Sequence, residues 1–383
     1  MLRYLTAGES HGPGLVSVIE GLPAGLPVSR DELTDELARR RGGHGRGRRM
    51  SLERDELEIL AGVRFGRTLG SPVAVIIRNT EWPKWEKQMS PEPGTAGRAL
   101  TTPRPGHADL AGMLKYDTHD ARDILERASA RETAARTVVG YLARVLLSEL
   151  GVGVLSHVVR IGSVVAAEET YPSLEDLPRI EASAVRAFDP QTSAAMIAEI
   201  DAAREDRDTL GGVVEVIVLG LPAGIGSHVH WDRKLDALLA AGLMSIPAIK
   251  GVELGDGFAS AERRGSAAHD EIYRTEDEFT RRTNRAGGIE GGTSIGGMLR
   301  VRAAMKPIST VMQPLDTVDV ESKQPQKAFR ERSDVCAVPA AGVVAEQMVA
   351  IVLAQEMQRK FGGDTVADMR LSLDEYRRRL SSF

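Results

Sequence analysis

The stretch Arg39-Arg40-Arg41-Gly42-Gly43-His44-Gly45-Arg46-Gly47-Arg48-Arg49 sets six guanidinium groups among four glycines. Arginine stays charged at any physiological pH and offers paired donors to phosphate or carboxylate, while glycine lets the backbone close on a ligand. Such a loop suits a small polyanion, although a solvated or RNA-binding arginine-glycine loop has the same composition. RNA recognition usually brings stacking aromatics and a basic domain. Aromatics are 4% of this chain and its net charge is -5, which favours the anion pocket.

A second cluster, Arg104-Pro105-Gly106-His107-Ala108-Asp109, holds an arginine and a histidine in a stiff turn with a carboxylate two residues on. Histidine titrates near neutrality and can move a proton when a neighbour sets its tautomer; a lone histidine is also readily structural. In Glu126-Arg127-Ala128-Ser129-Ala130-Arg131-Glu132, Ser129 and Glu132 have capping-box spacing at the start of a long helix, with Arg127 just before it. A helix N-terminus beside an arginine seats phosphate, and an ordinary cap with surface arginines fits the same residues.

Gly287-Gly288-Ile289-Glu290-Gly291-Gly292-Thr293-Ser294 leads into an apolar strand and then Lys306-Pro307-Ile308-Ser309-Thr310, which together offer amides, hydroxyls and an ammonium to another phosphate. No Gly-x-x-x-x-Gly-Lys occurs, which disfavours P-loop phosphoryl transfer. Arg330-Glu331-Arg332-Ser333-Asp334 sets carboxylates among arginines, where they can hold charge, act as a base or form a plain salt-bridged turn. Metal chemistry finds little support, since His228-Val229-His230 is the one close histidine pair.

These segments need elements to position them. Ser29-Arg30-Asp31-Glu32 has capping-box spacing and Leu33 and Leu37 follow at i,i+4, predicting a helix over 29–41 that delivers the chain into the arginine loop. Residues 73–78 and 212–219 are β-branched and bounded by turn residues, predicting strands. Apolar periodicity predicts helices over 129–150 and 340–355, while 83–97 and 168–191 read as surface insertions. Gly14 to Gly21 followed by Leu22-Pro23-Ala24-Gly25 matches Val213 to Gly220 followed by Leu221-Pro222-Ala223-Gly224, and Gly62-Val63 and Gly251-Val252 extend the match. This predicts a diverged duplication with halves of about 1–200 and 201–383 inside one unit, 1–383. The same turn used twice by chance gives the same pattern.

A chain of 383 residues, 42% hydrophobic, can bury a large core without staples. Its single cysteine, Cys336, excludes an internal disulfide and reads as a buried filler. The N-terminus lacks the apolar stretch of a signal peptide and no run reads as a membrane span, so the expectation is a cytoplasmic protein with no membrane or nucleic-acid partner.

Taken together, Gly8-Glu9-Ser10-His11-Gly12, Arg104-Pro105-Gly106-His107-Ala108-Asp109, Arg127-Ala128-Ser129-Ala130-Arg131-Glu132-Thr133 and Arg332-Ser333-Asp334-Val335-Cys336 resemble the hallmarks of the chorismate synthase family, in that family's order. Lys250-Gly251-Val252-Glu253-Leu254-Gly255-Asp256-Gly257-Phe258 and Met305-Lys306-Pro307-Ile308-Ser309-Thr310 extend the resemblance over nearly the whole chain. It implies an α+β fold, with a helical core between antiparallel sheets in a pseudo-duplicated subunit, and a homotetramer.

The implied activity is the anti-1,4-elimination of phosphate and a C6 hydrogen from 5-enolpyruvylshikimate 3-phosphate. That reaction needs reduced FMN without net redox change. By the same resemblance His11 would be the general acid at the leaving phosphate, His107 would serve the reduced flavin near N1, and Asp334 would help at N5. Arg40, Arg46, Arg49, Arg104 and Arg131 would bind substrate or NADPH anions. Arg127, Ala128, Ser129, Pro247, Ala248, Gly291, Lys306, Pro307, Ile308, Ser309, Thr310 and Arg332 match flavin-contacting positions. Ala128 stands where a serine is common, and Pro247 where many members carry an amide residue. The chain has no Gly-x-Gly-x-x-Gly fingerprint, so NADPH is expected to act through an external flavin reductase.

Overall fold

The computed structural model describes residues 1–47, 56–95, 97–167, 171–275, 279–331 and 334–383. The β-branched runs form strands, because branched side chains pack well on a pleated, half-buried surface. In the first sheet, β1 (Arg3–Ala7), β2 (Gly14–Glu20), β3 (Glu56–Ala61) and β4 (Val73–Arg78) lie in the order β1-β2-β4-β3, every pair antiparallel. Helix α1 (Arg30–Arg41) connects β2 to β3, capped by the Ser29 hydroxyl on the amide of Glu32 as the spacing predicts. After β4 come α2 (Asp109–Tyr116), α3 (Arg122–Ala128) and α4 (Thr133–Glu149).

The second sheet contains β5 (Gly153–Ile161), β6 (Val164–Val165), β7 (Gly212–Leu219), β8 (Ile249–Leu254) and β9 (Leu299–Met305), in the antiparallel order β8-β9-β7-β5-β6. Helix α5 (Leu235–Met244) connects β7 to β8, and α6 (Val338–Phe361) and α7 (Val366–Ser381) close the chain. Helix α4 packs against the first sheet and α6 against the second, and the two helices pack on each other. Val73, Val75 and Ile77 alternate inward and join Val138, Leu142, Val349 and Leu353 in one apolar cluster reaching both sheets. This is the α+β arrangement expected, with helices between antiparallel sheets.

The two sheets are threaded alike. Setting aside the two-residue edge strand β6, each takes a first and second strand, then a helix, a third and fourth strand and a central helix, and in each the fourth of these strands lies between the second and third. The repeated turns are also bonded alike. Thr68 Oγ1 donates to the Pro23 carbonyl (2.6 Å) and accepts from Leu26 N (3.0 Å); Ser294 Oγ donates to the Pro222 carbonyl (2.7 Å) and accepts from Ile225 N (2.8 Å). The second sheet takes its first strand from Gly153–Ile161, so the two sheet-forming runs meet between α4 and β5. Gly62 and Gly251 are not equivalent in this threading. Gly62 (φ +83°) follows β3, whereas Gly251 lies inside β8 at a register shift and Gly255 (φ +57°) follows that strand.

Three local expectations are corrected. Ser129 is extended and accepts from Arg131 N (3.3 Å), Ala130–Glu132 form a 3-10 turn, and α4 starts only at Thr133, because Glu132 pairs with Arg136 (2.8 Å) instead of closing a capping box. The 168–191 stretch is no surface insertion over its described residues: Leu177–Ala182 form a helix whose fully buried Ile180 packs, with the half-buried Phe188, against Leu155 and Ile217 of the second sheet. The predicted 340–355 helix extends to Val338–Phe361, which is long and apolar enough by composition to span a bilayer, and it is buried inside the protein.

Helices α4 and α6 cross at Gly140, where a Cβ would lie 2.3 Å from Gln347 Cβ and 2.8 Å from Gln347 Cα. Alanine is intrinsically better than glycine in a helix by about 1 kcal/mol. Overpacking a tight core costs about 1–3 kcal/mol and here falls on backbone, so Gly140→Ala is expected to destabilise. A lower denaturation midpoint with unchanged slope is the expected measurement, and a raised midpoint would contradict the packing argument.

Candidate active site

The N-terminal turn between β1 and β2 presents His11, buried against α3. Both oxygens of Glu126 lie at its Nδ1 (2.9 and 3.0 Å), and its backbone N–H donates to Glu126 Oε2 (2.8 Å). Trp85, in the short helix Trp82–Trp85, stacks on the imidazole at 4.0 Å between centroids and 34° between planes. Arg122 lies over Trp85 and donates to Glu126 Oε1 (2.9 Å). Burial opposes ionisation of Glu126, but His11 and Arg122 outweigh it and hold the carboxyl below its ordinary range. Asn79 Nδ2 ties down the turn through the carbonyls of Ser10 (3.2 Å) and Gly12 (3.0 Å).

Arg127 clamps the same turn from α3, donating to the Gly8 and Thr6 carbonyls (3.1 and 3.0 Å), and Ser129 Oγ meets Ser10 Oγ at 3.3 Å. Ala128 is the last residue of α3 between them. Arg131 is buried in the next turn, and Arg40, buried at the end of α1, reaches Thr133 Oγ1 at 3.3 Å. The arginine loop and the 127–133 segment are therefore neighbours.

The second histidine cluster forms at the start of α2. Asp109, fully buried, accepts from Arg104 Nε (2.8 Å) and N (3.1 Å) and makes a short contact with His107 Nδ1. Burial alone would raise the Asp109 pKa, yet His107 and Arg104 bring it down to about 2. Arg104 also donates to Thr310 Oγ1 (3.0 Å), and Lys306 Nζ bonds the Gly106 carbonyl. Gly106 has φ +75°, and a Cβ there would lie 3.3 Å from Lys306 Nζ and 3.5 Å from Ser309 Cβ. Lys306 N in turn donates to the carbonyl of Ala248 (3.0 Å), a non-glycine residue at φ +69° following Pro247. Helices α2 and α3 pack through Met113, Ile124 and Leu125, with Phe329 against them, so a small apolar cluster joins the two histidine sites.

A third cluster pins the arginine loop. Arg46 pairs with Asp334 (2.6 Å), whose Oδ1 also accepts from Gly47 N (2.7 Å). Thr209 Oγ1 donates to the Ile308 carbonyl (2.9 Å) and Leu210 N to the Val335 carbonyl (2.8 Å), tying this cluster to the Lys306-Pro307-Ile308-Ser309-Thr310 segment. Cys336 is fully buried, and burial pushes its thiol up to about 11, as suits a filler. Arg49 and Arg332 lie outside the described residues.

One placement differs from the sequence expectation. Arg39 turns into the protein and pairs with Glu36, Glu181 and Glu346, so it does not line the anion loop. Gly291 sits in the Ile289–Glu290 and Thr293–Ser294 hairpin, which bonds the second Leu-Pro-Ala-Gly turn and the start of α5. Sequence reasoning missed Glu126 and Trp85. Glu126 has a weak signal, its i,i+4 spacing from Arg122, and Trp85 has none.

The arrangement can neutralise several anions and move protons from two histidines, each held by a buried carboxylate. The family model described as chorismate synthase matches residues 2–358. Similar proteins include the chorismate synthases of Acidothermus cellulolyticus, 63% identical over 98% of both chains, and Thermobifida fusca, 61% identical over 98% of both. A solved structure described as a chorismate synthase is 41% identical, covers 100% of this chain and 99% of its own, and superposes with a TM-score of 0.81.

Proposed function

Because the chain belongs to the chorismate synthase family, we propose that the clusters around His11, His107 and Asp334 carry that family's reaction here. The activity is that of a carbon-oxygen lyase acting on a phosphate, forming chorismate in the shikimate pathway to aromatic amino acids. The observation that best supports these residues is the pair of histidines, each backed at Nδ1 by a buried carboxylate, set among buried arginines.

The substrate is 5-enolpyruvylshikimate 3-phosphate, whose phosphate and carboxylates Arg40, Arg46, Arg49, Arg104 and Arg131 neutralise. Preorganised cations in a water-poor site stabilise charge at little cost of reorganisation. As the C–O bond to phosphate breaks and the electron pair leaves on oxygen, His11 supplies a proton to the departing group.

Reduced FMN fits the donor set. The contact of Gly106 with Lys306 and Ser309, the reach of Arg104 to Thr310, and the Ala248 to Lys306 bond gather an ammonium, hydroxyls and amides suited to a phosphorylated polyol. Lys306, Pro307, Ile308, Ser309 and Thr310, with Arg127, Ala128, Ser129, Pro247, Ala248, Gly291 and Arg332, would hold it. When bound, the reduced flavin supplies electron density to the reacting ring with no net redox change. His107 holds a proton at its edge, steadied by Asp109, and Asp334, paired with Arg46, accepts one. The like threading of the two sheets supports a single unit of two diverged halves, and family likeness supports a cytoplasmic homotetramer.

Phosphate release from 5-enolpyruvylshikimate 3-phosphate is expected only when FMN is reduced, and activity indifferent to flavin would overturn this reading. Anaerobic mixing of protein, FMN and NADPH is expected to leave the oxidised-flavin absorbance unchanged, since the reductase is external. Rapid bleaching would remove that part.

A further inference from the structure

We infer that Glu126 is the positioning residue of His11, fixing which ring nitrogen can exchange a proton with the substrate. The inference deepens the role of His11 proposed above and rests on it. One carboxylate grips both the backbone and the ring: Oε2 accepts from His11 N (2.8 Å), and Oε1 and Oε2 stand 2.9 and 3.0 Å from Nδ1.

An ionised carboxylate can only accept, so Nδ1 carries its proton toward Glu126 and any proton passed to the substrate leaves through Nε2. The glutamate is 3% exposed, and it is held ionised by His11 and Arg122 against the effect of burial. Both its oxygens are thus engaged inside the protein, at His11 and Arg122.

Rotation of the imidazole is restricted from the opposite side. The Trp85 ring lies 4.0 Å from it, and Arg122 both covers Trp85 (5.1 Å) and donates to Glu126 Oε1 (2.9 Å). Asn79 holds the peptide carbonyls on each side of His11. Among the described residues, the charged groups around the ring include Glu126 and Arg122 of α3, with Glu9 in the same turn close to Gly12. A purely structural salt bridge between α3 and the turn would need neither the ring contact nor the stacked tryptophan.

The test uses full-length protein labelled with 15N-histidine, with the His11 signals identified by their loss in His11→Gln. The neutral ring of the wild type is expected to show one His11 tautomer, protonated at Nδ1. Glu126→Gln is expected to give mixed tautomers and about a ten-fold lower kcat, with KM for 5-enolpyruvylshikimate 3-phosphate within about two-fold. Glu126→Asp keeps the charge on a shorter stem and is expected to restore the single tautomer with an intermediate kcat.

A wild-type tautomer and kcat in Glu126→Gln would overturn the inference, as would a raised KM at unchanged kcat. If Glu126→Gln does not fold, Glu126→Asp carries the test, and a lost tautomer preference at wild-type kcat overturns it. Failure of the underlying reading looks different: there His11→Ala itself keeps its rate, whatever the tautomer.

Discussion

His11→Ala and His107→Ala each lower turnover by about ten-fold or more, because a positioned acid or base contributes at least that much to proton transfer. Phosphate release with reduced FMN present measures it. Both variants should fold. Without His11, Glu126 still pairs with Arg122; without His107, Asp109 still pairs with Arg104, so neither leaves a buried carboxylate alone. A lost rate with native circular dichroism therefore reports chemistry. Near-wild-type rates in both would refute the acid-base roles.

The second large effect lies under the arginine loop. Glu346 is fully buried on α6, where Arg39 (3.1 Å), Arg144 (2.8 Å) and Arg186 (3.6 Å) converge on it and Ser156 Oγ donates to it (2.9 Å). Glu346→Gln keeps the shape and removes the fully buried charge on which three guanidinium groups converge, leaving the less buried Glu36 and Glu181 to balance them. Breaking a buried ion pair by deleting one partner costs about 3–5 kcal/mol. A large fall in the denaturation midpoint at neutral pH is expected, and an unchanged midpoint would overturn the account.

The same network predicts a pH dependence. Burial raises the Glu346 pKa, but Arg144, Arg39 and Arg186 outweigh it and bring the carboxyl from 4.5 to about 2. A depressed folded-state pKa contributes stability that is present above the unfolded value and lost as pH falls through the folded one. The stability gap between wild type and Glu346→Gln should therefore narrow between pH 4.5 and about 2. Because Arg39 lies in the last turn of α1, this network also fixes where the chain leaves that helix for the arginine loop.

Much of the fold was legible locally. The strands Val73–Arg78 and Gly212–Leu219 and the capped helix Arg30–Arg41 follow from β-branching, turn residues and a Ser-x-x-Glu spacing, all of which act over a few residues. The repeated Leu-Pro-Ala-Gly turns were legible as a pattern. Their common cause was not, since the hydroxyls that bond them, Thr68 and Ser294, come from hairpins 45 and 72 residues away from the carbonyls they bond.

The sequence alone determined the residue types for the chemistry: arginines and glycines for anions, two histidines for protons, and a run of motifs in one family's order. Tertiary structure decided which of them work together. Glu126 reaches His11 across 115 positions and Arg46 meets Asp334 from the far end of the chain, while Arg39, in the same run as Arg40, is drawn inward by Glu346. The physical reason is that a charged side chain buried by the fold must find an opposite charge or a hydrogen bond wherever the packing places one. Local spacing says nothing about where that is.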